Sequence, residues 1–237
     1  MRDWREMCLE RFGAAKSAED LFVEVSNIVR QFEFEHCAYG ICAPLPVSKP
    51  RFSIFSDYPE PWVRHYLSQH YFAIDPTVRH GFSTTQPLVW TSSGHDRNNE
   101  FWAEADHYGL RHGWCMSAQS ASGARGLLTM VRSGSAIGRA ELAENEGRMS
   151  WLANAVHVVM SQYLTPRLMP EAGVSLTNRE QDSLKWSATG KTNSEIGEIL
   201  SVDERTVKFH LGNAMRKLNA ANKTEAVVKA ALMGKLF

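Results

Sequence analysis

The chain has 237 residues, of which 43% are hydrophobic, and its formal net charge at pH 7 is zero. This length suffices for two modest domains with cores of their own, and the composition excludes a disordered chain. No apolar run is long enough for a membrane span, and the N-terminus lacks the pattern of a secretory signal. The four cysteines lack the spacing of a metal site. We therefore expect a cytoplasmic protein with neither metal nor cofactor.

The first two thirds of the chain alternate helix and strand signals. A helix is predicted over 17–31, where Ser17 precedes an acidic first turn. Four short segments rich in aromatic and apolar residues predict strands of a mostly antiparallel sheet: 34–43, 51–56, 112–119 and 125–132. This pattern fits an α/β sandwich in which a sheet lies between helices, an α-β-α arrangement.

A cluster of aromatic residues lies between these strand segments. Tyr58, Trp62 and Tyr66 are spaced by four, which predicts that they stack on one side of a helix. Tyrosine hydroxyls and indole N–H groups are donors on apolar bodies, so they suit a ligand with a polar head and an apolar tail. Asp75 could accept a hydrogen bond from an amide N–H of such a ligand. Alternatively, Asp75 before Pro76 caps a helix and the aromatic residues belong to the core.

A long helix is predicted over 138–164, and its apolar positions form two neighbouring rows. The first row comprises Leu142, Met149, Leu152, Val156, Val159 and Tyr163, and the second comprises Trp151, Ala155 and Val158. One row can cover the sheet while the other meets a partner subunit. A single wide stripe facing the core fits the sequence equally well.

Two prolines and a glycine within ten residues predict a linker at 166–174. The chain then divides into a sensor domain at 1–165 and a second domain at 175–237. Residues 171–237 carry 10 Lys and Arg against 8 Asp and Glu, a weak basic bias. DNA binding by this domain is therefore predicted from the pattern of its residues more than from its charge.

Three helix starts follow one another in the second domain. Thr177 with Glu180, and Thr192 with Glu195, each have the spacing of a capping box, and Asp203 is a third N-cap. The turn before Asp203 is short, as in a helix-turn-helix. An all-α helix-turn-helix domain is predicted.

The third of these helices has two unlike faces. On a helical wheel, one face is apolar: Val207, Leu211, Ala214 and Leu218. The opposite face and its flanks carry Arg205, Lys208, Phe209, Gly212, Asn213 and Arg216. Cationic and amide side chains read base edges in the DNA major groove, so this face suits a recognition helix. An ordinary solvated helix face is the plainer alternative.

The second domain resembles LuxR/FixJ-type DNA-binding domains over essentially all of 175–237. The matching residues are Glu180, Leu184, Trp186, Gly190, Lys191, Ser194, Glu195, Ile196, Thr206, Val207, Lys208, His210, Lys217 and Leu218. In those domains a fourth helix, here about 223–233, provides a dimer contact. The DNA contacts that we expect come from Lys191, Thr192, Arg205, Thr206, Lys208, Phe209, Asn213, Arg216 and Lys217.

The sensor domain resembles the acyl-homoserine lactone domain of LuxR-type quorum-sensing receptors. The resemblance is carried by Tyr-Pro-x-x-Trp-x-x-x-Tyr from Tyr58, then Asp75-Pro76, Trp90, Phe101-Trp102, Gly109-Leu110 and Gly113, and it covers most of residues 10–165. Several stretches, such as Arg111-His112-Gly113-Trp114, look most like QscR-type orphan receptors.

This resemblance implies a role for each site residue. Trp62 would donate to the lactone carbonyl, Tyr58 to the amide carbonyl and Thr129 to an amide or 3-oxo oxygen, and Asp75 would accept the amide N–H. The lactone ring would be walled by Trp90, Phe101, Ala105 and Leu110, and the acyl tail bordered by Tyr66, Gly40, Ala38 and Leu127. Ala38 lacks the hydroxyl that some relatives carry as serine, so one polar contact can be missing.

The resulting prediction is a quorum-sensing transcriptional regulator without catalytic residues. It would bind an N-acyl-homoserine lactone of medium to long chain and, as a homodimer, an inverted-repeat operator, acting with RNA polymerase and away from membranes. Two alternatives are a lactone hydrolase and a regulator that acts by forming heterodimers with related receptors. The hydrolase would need a His-x-His-x-Asp-His or Gly-x-Ser-x-Gly motif, which the sequence lacks.

Overall fold

A five-stranded sheet forms the centre of the N-terminal part of the computed structural model, which describes residues 3–93 and 100–236. In chain order the strands are β1 (His36–Ala43), β2 (Arg51–Ser56), β3 (Leu88–Thr91), β4 (His112–Gln119) and β5 (Arg125–Arg132). They lie in the order β2-β1-β5-β4-β3, and β1 with β5, β5 with β4, and β4 with β3 pair antiparallel. The four predicted strands are confirmed; the sequence analysis did not predict β3, which has only four residues.

Along the chain, helices precede, separate and follow these strands: α1 (Trp4–Ala14), α2 (Ala18–Val29), α3 (Glu60–Ser68), α4 (Pro76–Ser83), α5 (Glu100–His107) and α6 (Arg139–Leu168). The side chain of Ser17 accepts from the Asp20 N–H and begins α2 as predicted. The predicted end of α6 at 164 is wrong, because the helix continues through Pro166. A proline so close to the helix end removes only one of its last backbone hydrogen bonds.

The two faces of the sheet meet different surroundings. Cys37, Tyr39 and Ile41 of β1 are buried, and the Tyr39 hydroxyl lies 2.9 Å from Nδ1 of His157 on α6. Because side chains alternate along a strand, Ala38 and Gly40 point to the opposite face. In the register of the sheet Ala38 lies opposite Thr129 and Gly40 opposite Leu127 of β5. These four residues form the floor of a cavity.

The core side of α6 differs in part from the predicted row. Its buried residues are Met149, Leu152, Ala153, Val156, His157, Met160, Ser161 and Leu164. Leu142, Val159 and Tyr163 of the first predicted row are only half-buried. In the second row, Trp151 packs on the ring of Trp4 from α1 at 5.5 Å, while Val158 is 58% exposed. The second row is thus covered by α1 at one end and open to solvent at Val158.

The chain divides into two compact units, and the second runs from Thr165 onward together with Ala43–Arg51 and Ala121–Ala124. Its helices are α7 (Asn178–Ala188), α8 (Asn193–Leu200), α9 (Glu204–Lys217) and α10 (Lys223–Leu232). Both predicted capping boxes are present, and Asp203 accepts from the Thr206 N–H at 2.7 Å. The predicted apolar face of α9 is confirmed as core: Val207, Leu211, Ala214 and Leu218 are buried. Among the described helices of the whole chain, none has the length and apolar character to cross a membrane.

A buried ion pair ties α9 to the first turn of α7. The Glu180 carboxylate, whose side chain is 4% exposed, accepts from the Lys217 ammonium and from the Thr177 N–H, both at 2.8 Å. Burial raises the pKa of Glu180, but the hydrogen bonds from Lys217 and Thr177 outweigh it, and the net pKa is lowered. The Lys217 ammonium also donates to the Ser175 carbonyl. Lys217, expected to contact DNA, is therefore committed to contacts inside the fold.

We expect Glu180 to make the second unit sensitive to acid. A carboxyl whose pKa is lower in the folded state stabilises the fold above its unfolded pKa of about 4.3, and this contribution disappears as the pH falls through the folded value. Glu180→Gln should lower the free energy of unfolding near pH 7 by about 1–3 kcal/mol and reduce its loss in acid. Urea titrations of both proteins near pH 7 and pH 4 measure this. An equal loss of stability in the two proteins on acidification would contradict it.

Candidate ligand cavity and DNA-binding surface

A cavity of about 340 Å³ lies on the face of the sheet formed by Ala38, Gly40, Leu127 and Thr129. Residues from α3, α4 and α5 complete its walls, which are largely apolar and aromatic. Every residue that the sequence analysis expected to bind ligand lines this cavity: Ala38, Gly40, Tyr58, Trp62, Tyr66, Asp75, Trp90, Phe101, Ala105, Leu110, Leu127 and Thr129. The fold thus brings residues between positions 38 and 129 of the sequence around one cavity.

Several polar side chains of the wall have no partner for their hydrogen-bonding groups among the residues that the structure describes. They include the hydroxyls of Tyr58 and Thr129 and the indole N–H groups of Trp62 and Trp90. Trp62 and Thr129 are 3% and 7% exposed, and burial raises the pKa of Tyr58 well above its usual value. An unsatisfied buried donor costs about 1–3 kcal/mol, so these groups favour a ligand that offers acceptors.

Tyr58 departs from its predicted place on a helix. It precedes α3, whose N-cap is Pro59, while Trp62 and Tyr66 lie on the helix with their rings 5.8 Å apart. The chain turns at Pro59, so that Tyr58 reaches the cavity from outside the helix. The spacing of four therefore describes two residues of this helix and not three.

Asp75 lines the cavity and also caps α4. Its Oδ1 accepts from the backbone N–H of Thr77 at 2.8 Å and from the Thr77 hydroxyl at 2.7 Å. Its Oδ2 accepts from the Tyr66 hydroxyl at 3.0 Å. Burial raises the pKa of Asp75, against the lowering effect of these hydrogen bonds. Each carboxylate oxygen has two acceptor sites, so Oδ2 can take a second donor beside Tyr66.

The cavity opens to solvent at an apolar rim, which we define as Phe52, Ile54, Leu67, Phe72 and Phe82. Phe52 and Phe72 stack with ring centroids 4.9 Å apart, and Phe52, Ile54, Leu67 and Phe82 are 42–57% exposed. The rim was not predicted from the sequence. Its one usable signal was the exposed apolar alternation of Phe52 and Ile54 in β2, which is also usual for an edge strand.

Arg125, which the sequence analysis did not single out, holds the end of α4 against the sheet. It lines the cavity from β5, and its guanidinium donates to the backbone carbonyls of Gly81 and Phe82. Its second terminal nitrogen donates to the side-chain oxygen of Gln119. Arg125 therefore fixes the wall at which the Phe82 side chain meets solvent.

The exposed face of α9 carries the side chains expected to meet DNA. The exposed residues are Arg205, Lys208, Phe209 and Arg216. The Phe209 side chain, although apolar, is 63% exposed. Asn213 accepts from the Arg216 guanidinium at 3.0 Å, which orders both side chains. Lys208 forms an exposed ion pair with Glu204 on the same helix.

The remaining expected DNA contacts lie at helix starts. Thr192 is the N-cap of α8, and Lys191 beside it pairs with Glu195 at 3.3 Å. Thr206 lies in the first turn of α9 and its hydroxyl donates to Asp203. These residues therefore lie at the N-terminal ends of two helices, where the helix dipole favours phosphate oxygens.

Comparison with known proteins gives matches over both units. The family described as autoinducer binding domain matches residues 17–160, and the family of bacterial regulatory proteins of the luxR type matches residues 174–230. The chain is 44% identical to the transcriptional activator protein SolR of Ralstonia nicotianae, over 94% of each chain. It is 38% identical to the transcriptional activator protein AnoR of Acinetobacter nosocomialis over the full length of both.

Solved structures show the same fold. The crystal structure of Escherichia coli SdiA superposes with a TM-score of 0.82 at 29% identity, over 99% of this chain and 98% of that one. A structure of SdiA in complex with octanoyl-rac-glycerol gives a TM-score of 0.80 at 30% identity, over 100% and 98% of the two chains.

Proposed function

Because the chain belongs to the LuxR family of quorum-sensing transcriptional regulators, with an autoinducer-binding domain before its helix-turn-helix, we propose that it binds an N-acyl-homoserine lactone in the cavity on its sheet. The observation that carries this proposal is that the hydroxyls of Tyr58 and Thr129 and the indole N–H of Trp62 have no partner at the wall of one apolar cavity. The protein is a regulator and not an enzyme, and as a DNA-binding regulator it acts in the cytoplasm.

The polar head of the ligand would satisfy these donors. Trp62 donates to the lactone carbonyl, Tyr58 to the amide carbonyl and Thr129 to an amide or 3-oxo oxygen. Asp75 accepts the amide N–H on Oδ2, beside the Tyr66 hydroxyl. The lactone ring then packs against Trp90, Phe101, Ala105 and Leu110, which are all buried.

The acyl tail would run along the floor of the cavity toward the rim. Ala38 and Gly40 keep that floor low, and a methyl group added at Gly40 would meet no atom within 4 Å. Each buried methylene contributes about 0.8 kcal/mol, so affinity should rise with chain length while the tail stays inside. The opening at the rim supports a medium to long chain.

A second ligand class deserves a direct comparison, because SdiA has been solved with octanoyl-rac-glycerol. A glycerol ester offers carbonyl and hydroxyl groups to the same wall but has no amide N–H for Asp75. Calorimetric titrations with octanoyl-homoserine lactone and octanoylglycerol separate the two, since their tails are identical. We expect the lactone to bind about tenfold or more tightly, the value of one charge-assisted hydrogen bond. The reverse order would identify an acylglycerol receptor, and no binding of either would contradict the proposal.

The ligand-bound protein would bind DNA as a homodimer. Two copies of α9 would enter the major groove at half-sites about one DNA turn apart, so the operator should be an inverted repeat. Val228 and Leu232 of α10 are 39% and 38% exposed, which suits the expected dimer contact of this helix. The relatives SolR and AnoR are named transcriptional activators, and we extend to this chain their activating role, with RNA polymerase as partner.

Arg205→Ala and Arg216→Ala should each weaken operator binding. A bidentate contact between arginine and a base is worth about 1–3 kcal/mol, so we expect a loss of roughly 5- to 150-fold in affinity. The measurement is fluorescence anisotropy on an inverted repeat selected from random DNA by the wild-type protein. Lys185→Ala is the matched control, because it removes one exposed positive charge from α7 instead of α9. Unchanged binding in both arginine variants would show that this face of α9 does not meet DNA.

A further inference from the structure

Behind the cavity wall, one carboxylate joins three chain segments. Oε2 of Glu104 on α5 accepts from Nε2 of His65 on α3 at 2.5 Å. The same oxygen accepts from the hydroxyl of Tyr71, in the 3₁₀ turn Tyr71–Ala73 that follows α3. We call these three residues the Glu104 cluster. None of them lines the cavity.

The segments that the cluster joins carry the head-group wall on their other side. Trp62 and Tyr66 reach the cavity from α3, and Phe101 and Ala105 reach it from α5. Tyr66 and Phe101 contact the ring of Tyr71, and Trp62 contacts the rings of both His65 and Tyr71. The Trp62 ring lies 6.3 Å from the ring of His65, and 6.1 Å from the ring of Tyr71. Both hydrogen-bond partners of Glu104 are therefore neighbours of the indole that faces the ligand.

The charge of Glu104 makes these contacts stronger than ordinary surface hydrogen bonds. The hydrogen bonds from Tyr71 and His65 hold the pKa of Glu104 below its usual value, and burial together with Glu104 raises the pKa of Tyr71 to about 12. At neutral pH the carboxylate is ionised and the tyrosine is protonated. Charge-assisted hydrogen bonds are roughly twice as strong as neutral ones.

We propose that Glu104 is a positioning residue of the ligand site: through His65 and Tyr71 it fixes the Trp62 indole, so that bound ligand leaves slowly. This inference rests on the proposed function, since it assumes that Trp62 contacts the ligand head. The effect should appear in the dissociation rate, where most differences in affinity between related complexes arise.

Glu104→Gln tests the role while keeping the size of the side chain. We expect N-octanoyl-homoserine lactone to dissociate about tenfold faster from this variant, measured by stopped-flow displacement. Asp106→Asn is the matched control. It lies on the same helix and accepts from Ser92 and Arg111, toward the β3–β4 side instead of α3. The control should release the ligand at the wild-type rate.

A double-mutant cycle separates positioning of Trp62 from a general loosening of the fold. In a Trp62→Phe background the indole N–H is gone, so Glu104→Gln should change the dissociation rate by less than twofold. An undiminished effect in that background, or a wild-type rate in the Glu104→Gln single variant, would overturn the inference. If the wild-type protein itself binds no acyl ligand, the proposed function fails, and the inference fails with it.

Discussion

Asp75→Asn is expected to bind N-octanoyl-homoserine lactone roughly 10- to 100-fold more weakly than the wild type. A hydrogen bond to a charged group is worth about 1.5–3 kcal/mol, and this variant places an NH₂ group where the ligand would need an acceptor. Asparagine keeps a carbonyl oxygen for the Thr77 N–H, so the cap of α4 survives. Calorimetry gives the affinity, and a thermal melt without ligand reports the cap.

The alanine variant completes this comparison, because it removes the cap as well. Asp75→Ala should therefore lose ligand affinity and also about 0.5–2 kcal/mol of stability in the absence of ligand. If Asp75→Asn binds the lactone like the wild type while Asp75→Ala only melts earlier, Asp75 is a helix cap and nothing more. In the structure Asp75 both caps α4 and lines the cavity, so the asparagine variant is needed to separate the cap from a ligand contact.

Gly113→Ala is expected to damage both the fold and the site. A Cβ at this β4 position would overlap ring atoms Cζ2 and Cε2 of Trp90, the residue opposite it on β3. Trp90 is 6% exposed and packs on Trp102 with ring centroids 4.9 Å apart, so its ring has no free space to occupy except the cavity. Overpacking of this kind costs about 1–3 kcal/mol. We expect a lower melting temperature and weak or absent ligand binding.

Gly40→Ala is the control for this prediction, because it makes the same change in a strand of the same sheet. A Cβ at Gly40 would have no atom within 4 Å and would enter the cavity floor. We expect unchanged or slightly raised stability, with chain-length preference moved to shorter tails. Gly113→Ala with wild-type melting and wild-type binding would show that Trp90 moves freely, against the packing described for it.

Features encoded by neighbouring residues could be predicted from the sequence. The capping boxes at Thr177 and Thr192, and the cap at Asp203, involve residues three apart, and all three are present. The strands β1, β4 and β5 could be predicted because each is a run of apolar residues ended by polar or turn residues. The buried face of α9 follows directly from its helical period.

Features that depend on distant partners could not be predicted in this way. The contacts of Glu104 join positions 39 and 33 residues apart, and no local pattern marks them. Lys217 has the same charge whether it meets DNA or, as here, the buried Glu180. Trp4 of α1 covers Trp151, which is why one apolar row of α6 could not be assigned from the helix alone.

The candidate ligand residues were identified from the resemblance to acyl-homoserine lactone domains more than from the physical properties of each residue. Tyr58, Trp62 and Asp75 each have an ordinary structural explanation when taken singly, and their shared cavity emerges only in the folded chain. The rim around Phe52 and Phe82 lies outside the motif that carries the resemblance. The likeness to QscR-type receptors and the formation of heterodimers stay predictions.

The measurement that tests the central claim most directly is a thermal melt of the full chain with acyl-homoserine lactones of increasing tail length. A ligand that binds only the folded sensor stabilises it by ~2.7 kcal/mol at 100 times its dissociation constant. We therefore predict a rise of several degrees in the melting temperature that grows with tail length. No shift with any lactone, in a protein that is folded and binds DNA, would contradict the proposal that this cavity is a lactone site.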